Sequence, residues 1–295
     1  MFNATRPGRP RLEAGAGPLI GLRVFLEPQI WRIAPVWAVL AGALASGAPL
    51  LDGAAILRLL GAAILADSLW GMLWRLTAGS EGALSAAPVL ARHLPYYQAQ
   101  SPAGRTLRLV RYMIADAGWH ELIVALGSAA ILSLLLGWAA LGLTVLAWTV
   151  TLWAWLLTQA GRRPAGCDAL LNVGLPWLLG WALMSNVGAA LNTPVDWSGP
   201  ILAVAFTLMQ WGVWRIYLAE SRQMVAAWLG QMSVVVALIG LQQVRALVPV
   251  ALLLLPSWWF LRRAGQGEMT TQAALTHSGP WWLAAMLLSA YMLRW

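Results

Sequence analysis

The residues most able to do chemistry lie in one stretch, Ile64-Leu65-Ala66-Asp67-Ser68-Leu69-Trp70-Gly71-Met72-Leu73-Trp74-Arg75. It sets one carboxylate, Asp67, inside an apolar helix closed by an arginine about two turns later. An ionisable group at such depth is costly, so it faces a bundle interior or a wet cavity. Trp70 and Trp74 follow at steps of three and seven, which puts all three on one face of a regular α-helix. Two readings of Asp67 stand side by side. It contacts a metal or polar ligand, or it is a buried carboxylate satisfied by Arg75, by an arginine of a neighbouring helix, or by protonation.

The other candidates cluster near predicted helix ends. Arg162, Arg163, Arg215 and Arg222 can converge on a phosphate through bidentate contacts, or serve only to set topology. Glu220 stands beside Arg222 and either pairs with it or joins Asp67 as an oxygen donor. Asn172 can hydrogen-bond a ligand or a neighbouring helix. His120, beside Asp116 and Glu121, either ligates a metal or a pigment magnesium as a neutral imidazole or is solvated at the interface. Cys167 is the only cysteine, which excludes an internal disulfide and a thiolate cluster. We find no Ser/His/Asp grouping, no glycine-rich phosphate loop and no metal-binding histidine pair.

What must position these residues is set by composition. The 295 residues are 60% hydrophobic and 10% charged, where a soluble domain carries about 25% charged residues. Mean hydropathy is +0.68. An all-α integral membrane protein is the class this implies. The formal charge of +8 and the all-arginine basic complement follow membrane topology and do not point to nucleic acid. Nine apolar segments of bilayer-spanning length fall near 30–49, 53–75, 119–138, 140–160, 168–190, 199–219, 223–243, 245–262 and 278–294. The arginines gather in alternate connections, 76–118, 161–167, 220–222 and 263–277, while the opposite set holds Asp52, Asp196, Arg245 and little else. That bias predicts nine helices with the N-terminus in the cytoplasm and the C-terminus outside.

Residues 1–29 then form a cytoplasmic tail, and 30–295 form one transmembrane domain. Arg6, Arg9 and Arg11 precede no apolar core of signal-peptide type. Arg105, Arg108 and Arg111 make the 76–118 connection an amphipathic helix on the inner leaflet, as an anchor or as a lid over a cavity mouth. Gly137 and Gly142, with no charge between the third and fourth segments, predict a very tight turn. Of the 20 tryptophans, Trp31, Trp119, Trp197, Trp258, Trp259, Trp281, Trp282 and Trp295 fall at predicted interfaces. Trp148, Trp153 and Trp155 lie deeper, as packing residues or cavity lining.

Three stretches carry a family resemblance: Pro28-x6-Pro35 followed by Leu40-Ala41-Gly42-Ala43-Leu44-Ala45, then Ala66–Trp74, then Leu171-Asn172-x-Gly174-Leu175-Pro176-Trp177-x-x-Gly180. With the nine-segment pattern they resemble the UbiA superfamily of intramembrane prenyltransferases, the third stretch its chlorophyll synthase branch. The resemblance implies a nine-helix bundle in which acidic motifs on helices two and six hold Mg²⁺ on an isoprenyl diphosphate, for transfer to an aromatic or tetrapyrrole acceptor. Mg²⁺ needs several oxygen ligands for this. Here the family's Asn-Asp-x-x-Asp-x-x-x-Asp becomes Ala66, Asp67, Trp70 and Trp74, and at the second motif Glu220 follows Ile216 by four. The expectation is a relative that has lost Mg-dependent transfer. It would bind a lipid, isoprenoid or pigment through Asn172, Trp70, Trp74 and the arginines 75, 162, 163, 215 and 222. It could equally be a subunit of a photosynthetic or quinone-linked complex in a bacterial inner membrane. The alternative is a divergent prenyltransferase with Mg²⁺ on Asp67 and Glu220.

Overall fold

A computed structural model describes residues 34–78, 118–159, 165–185, 196–219 and 224–294, and among them every regular element is helical. In chain order these are α1 (Pro35–Ala45), α2 (Gly53–Ala63), a π-helical segment π1 (Ile64–Trp70) and α3 (Gly71–Ala78). Next come α4 (Gly118–Leu136), α5 (Trp138–Gln159), α6 (Ala165–Ala169), a second π-helical segment π2 (Leu170–Gly174) and α7 (Leu175–Met184). The chain ends in α8 (Ser198–Ala219), α9 (Met224–Gly240), α10 (Val244–Gly265) and α11 (Thr271–Met292). Among the described residues four helices are long and apolar enough to cross a membrane: Gly53–Trp74, Trp138–Thr158, Ala165–Met184 and Val244–Gly265. The predicted tail 1–29 and most of the 76–118 connection lie outside the described residues.

Outward faces are apolar. Val145, Leu146 and Leu152 of α5, Val225, Leu229 and Val236 of α9, and Val248, Leu252 and Leu255 of α10 are all exposed. Contiguous apolar surface of this kind is a liability in water and suits hydrocarbon. Trp153 belongs to this outer face, 59% exposed, so it lines no interior, whereas Trp155 on the same helix is buried.

The predicted tight turn is a single residue. Gly137 sits between α4 and α5 at φ +115, a conformation closed to residues with a Cβ. The two helices therefore fold back as an antiparallel pair.

The pair at the centre of the bundle is α1 with α7. A Cβ on Gly42 would run into the Trp177 carbonyl, and one on Gly180 into the Val39 carbonyl. Two glycines thus let the two backbones touch, the small-residue device of membrane helix packing. On one side of this pair lies an apolar cluster with α8–α11, including Trp177, Phe206, Met209, Leu254 and Met286. On the other side lies a cluster of Leu65, Leu69, Trp70, Leu171 and Leu175 with residues of α4 and α5. Helices α8 and α9 cross as closely: Gly212 faces the Ala226 carbonyl, Gly230 faces Met209, and Ser233 Oγ donates to the Ala205 carbonyl at 3.0 Å.

Helix α11 begins earlier than the apolar run suggests. Thr270 caps it, accepting from the Ala273 N–H at 3.3 Å. Trp282 therefore falls mid-helix and is 3% exposed, a core residue and not part of an interfacial belt. At the other end of α11, Arg294 Nη2 donates to the carbonyls of Gly47 and Ala48 at 2.8 and 2.7 Å. The C-terminal end of α11 and the α1–α2 turn therefore share one end of the bundle.

A buried carboxylate on a pi-helical turn

Asp67 lies in π1, where the sequence pattern predicts an unbroken α-helix. This corrects the expected register. The i→i+5 winding puts more residues in each turn, so the three-residue step from Asp67 to Trp70 turns through less of a circle than in an α-helix. The insertion has a packing consequence: from Leu65 to Trp70 every residue is buried. Asp67 is 0% exposed, and Ser68 beside it is also buried.

π2 stands in the fifth predicted segment and carries Asn172. Its wider winding is seen directly at its end, where the Leu175 N–H bonds to the Leu170 carbonyl five residues back. Asn172 Nδ2 donates to the Asp168 carbonyl at 2.7 Å, so at least part of this amide serves its own helix. Asp168 is itself buried, and the sequence reading missed it. The available signal was its step of four from Asn172, which puts both on one helix face.

The two π turns meet in one apolar cluster. Ala66, Leu69 and Trp70 from π1 join Leu171 of π2 and Leu175 and Leu179 of α7, with Val39 of α1, and Trp74 packs on the margin. Trp70 is 2% exposed, its indole filling the core at the position where the resemblance would have a metal-binding carboxylate. Oxygen donors on π1 are the Asp67 carboxylate and the Ser68 hydroxyl; the rest of the segment is indole, isoleucine, leucine and alanine. That set supplies only part of the near-octahedral oxygen shell of Mg²⁺; the rest would fall to water, to phosphate oxygens or to donors on other elements.

Of the remaining candidates, Arg215 is described and stands apart from this point. Arg215 is exposed on α8, its guanidinium 5.2 Å from the centre of the Trp211 ring. Arg162, Arg163, Glu220 and Arg222 lie outside the described residues, as does the side chain of Arg75. His120 is on α4 with its side chain outside them too. At the arginine-bearing turn after α10, Arg263 Nε pairs with Glu268 Oε2 at 2.9 Å and its guanidinium lies 4.8 Å from the centre of the Trp259 ring. Among the described residues no three His, Cys, Asp or Glu side chains come together in a way that could hold a metal ion.

Fold and site together define an all-helical protein with several helices suited to a membrane and a carboxylate sunk among them. Compared with protein-family models, curated proteins and solved structures, the chain finds no match.

Proposed function

We propose that this protein is a nine-span membrane protein of the UbiA type, N-terminus in the cytoplasm and C-terminus outside, in a bacterial inner membrane. In this reading the diphosphate–metal site has been reduced to one intramembrane carboxylate, and the bundle binds an isoprenoid or pigment, alone or as a subunit of a membrane complex. The observation that carries the reading is the burial of Trp70 in the apolar cluster shared by the two π turns. An indole there takes the volume that a hydrated divalent ion and its phosphate oxygens require. A second support comes from α1 and α7. Two of the stretches that carry the resemblance, around Gly42 and around Gly180, are each other's packing partners.

One observation favours the alternative, a divergent prenyltransferase using Asp67 and Glu220. π turns recur at functional sites, and Asp67 sits on one, fully buried. A transfer assay separates the two. Purified protein in nanodiscs is given an isoprenyl diphosphate and an aromatic acceptor, with and without Mg²⁺, and extracted lipids are identified by mass spectrometry. The expected result is no transfer and a retained isoprenoid or pigment. Mg-dependent transfer that disappears in Asp67→Asn overturns the binding-protein reading.

A further inference from the structure

Helix α10 keeps an open outer ridge between two neighbours. On one flank Trp258 stacks on Trp228 of α9, ring centres 6.1 Å apart. On the other flank Phe260 meets His277 of α11, ring centres 5.5 Å apart. Between these contacts Trp259 faces outward, 53% exposed. Leu255, Leu252 and Val248 precede it at steps of four, three and four, which is one stripe of a helix, and all three are exposed.

Two arginines close this stripe. Arg262 and Arg263 follow Trp259 by three and four residues, in the last turn of α10. They are held differently. Arg263 has its guanidinium 4.8 Å from the centre of the Trp259 ring and its Nε on Glu268 Oε2 at 2.9 Å. Arg262 is exposed and forms no ion pair among the described residues. The carbonyls of Arg262 and Arg263 accept from the Gln266 and Glu268 N–H groups at 3.0 Å, so the negative end of the helix is already covered there. With Glu268 answering Arg263, the charge of Arg262 stands in excess at this turn.

We propose that this ridge docks one anionic phospholipid, its phosphodiester on Arg262 beside Trp259 and an acyl chain along Leu255, Leu252 and Val248. Three features select this occupant. From Val248 to Trp259 is roughly 16 Å along the axis, about one leaflet of a hydrocarbon core roughly 30 Å thick. An indole and an arginine at the end of such a stripe match the headgroup level, because each sets a polar tip above an apolar body. The excess positive charge complements a headgroup of net negative charge, whereas a zwitterionic headgroup brings its own cation and cancels that gain. Docking here requires α10, one of the helices long and apolar enough to cross a membrane, to do so, but it does not depend on what Asp67 binds.

The test uses the full chain in detergent micelles. Dioleoylphosphatidylglycerol or dioleoylphosphatidylcholine is titrated, and bound lipids are counted by native mass spectrometry. We expect the glycerol lipid to bind about fivefold more tightly than the choline lipid. Arg262→Gln should weaken the glycerol lipid about fivefold and leave the choline lipid unchanged. Glu268→Gln should tighten the glycerol lipid, because Arg263 is then freed for the phosphate. Arg58→Gln removes an exposed arginine on α2 and should change neither lipid. Thermal stability should be kept in all three variants, since each changed side chain is exposed. Equal affinity for the two lipids in the wild type, an unchanged Arg262→Gln, or a loss matched by Arg58→Gln overturns the site. Inorganic phosphate that competes as strongly as the lipid also overturns it, because the apolar ridge would then contribute nothing. If Arg262→Gln does not fold, Glu268→Gln tests the same site in the opposite direction, and an unchanged affinity there rejects it. Asp67→Asn must leave the lipid preference unchanged, which separates this outcome from failure of the proposed function.

Discussion

Replacing Gly42 with alanine adds one methyl group where α1 and α7 already touch. The new carbon would stand 2.8 Å from the Trp177 carbonyl carbon and 2.9 Å from the Trp181 nitrogen. Optimal carbon contacts are about 3.5–4.0 Å, so the helices must part by on the order of 1 Å. A gap of that size forfeits about a quarter to a half of each contact's dispersion energy. For on the order of 30 atom pairs at about 0.15 kcal/mol each, the loss is about 1–2 kcal/mol, within the usual range for overpacking. Gly180→Ala meets the same crossing from the other side, 2.8 Å from the Val39 carbonyl carbon. Once one methyl has parted the helices, the second occupies space already opened. The double variant should therefore cost about as much as either single one, a coupling of about 1–2 kcal/mol. Steric trapping in bicelles measures all three, with Gly127→Ala as control, because nothing lies within 4 Å of a Cβ there. Single variants within about 0.5 kcal/mol of wild type, or a double variant equal to their sum, would refute the crossing.

Gly137→Ala should cost about 1–3 kcal/mol in the same assay, because φ +115 is strained for any residue with a Cβ. Arg294→Ala removes two hydrogen bonds to the Gly47 and Ala48 carbonyls, so amide exchange in residues 46–50 should rise while the centre of α7 stays protected. Cys167 is half-buried and closes the 161–167 connection, so the proposed orientation makes it reactive to an impermeant maleimide in inverted vesicles and protected in intact cells. Equal labelling from both sides would reject that orientation.

Much of the helical layout was legible because length and apolar runs decide it. The turn at Gly137 was readable from a glycine between two uncharged runs, and the structure makes it one residue long. The start of α11 was not readable from hydropathy, because a hydroxyl cap at Thr270 fixes it and the first turn is polar. At the site, Asp67 stood out as a lone carboxylate in an apolar run. The π winding around it was hidden, since it arises from how neighbouring helices pack and leaves no composition signal.

The two π turns answer a shared packing problem. α7 must lie flat against α1, because Gly180 and Gly42 leave no room for a tilt that separates the backbones. Just before α7, Gly174 faces Thr207 of α8, where a Cβ would stand 2.7 Å from Oγ1. A regular α-helix through Leu170–Gly174 would carry a single phase from the α1 contact to the α8 contact. The extra residue in π2 shifts that phase, so one continuous helix can meet both neighbours with its small residues. π1 faces the same cluster and shifts phase in turn, which buries Asp67 with Leu65 and Leu69. The carboxylate's depth is thus tied to the glycine crossing. Parting α1 from α7 with Gly42→Ala should raise the solvent or lipid access of π1, read as faster exchange of the Ser68–Trp70 amides. Exchange there that ignores the crossing would separate the two features and leave the burial of Asp67 without this cause.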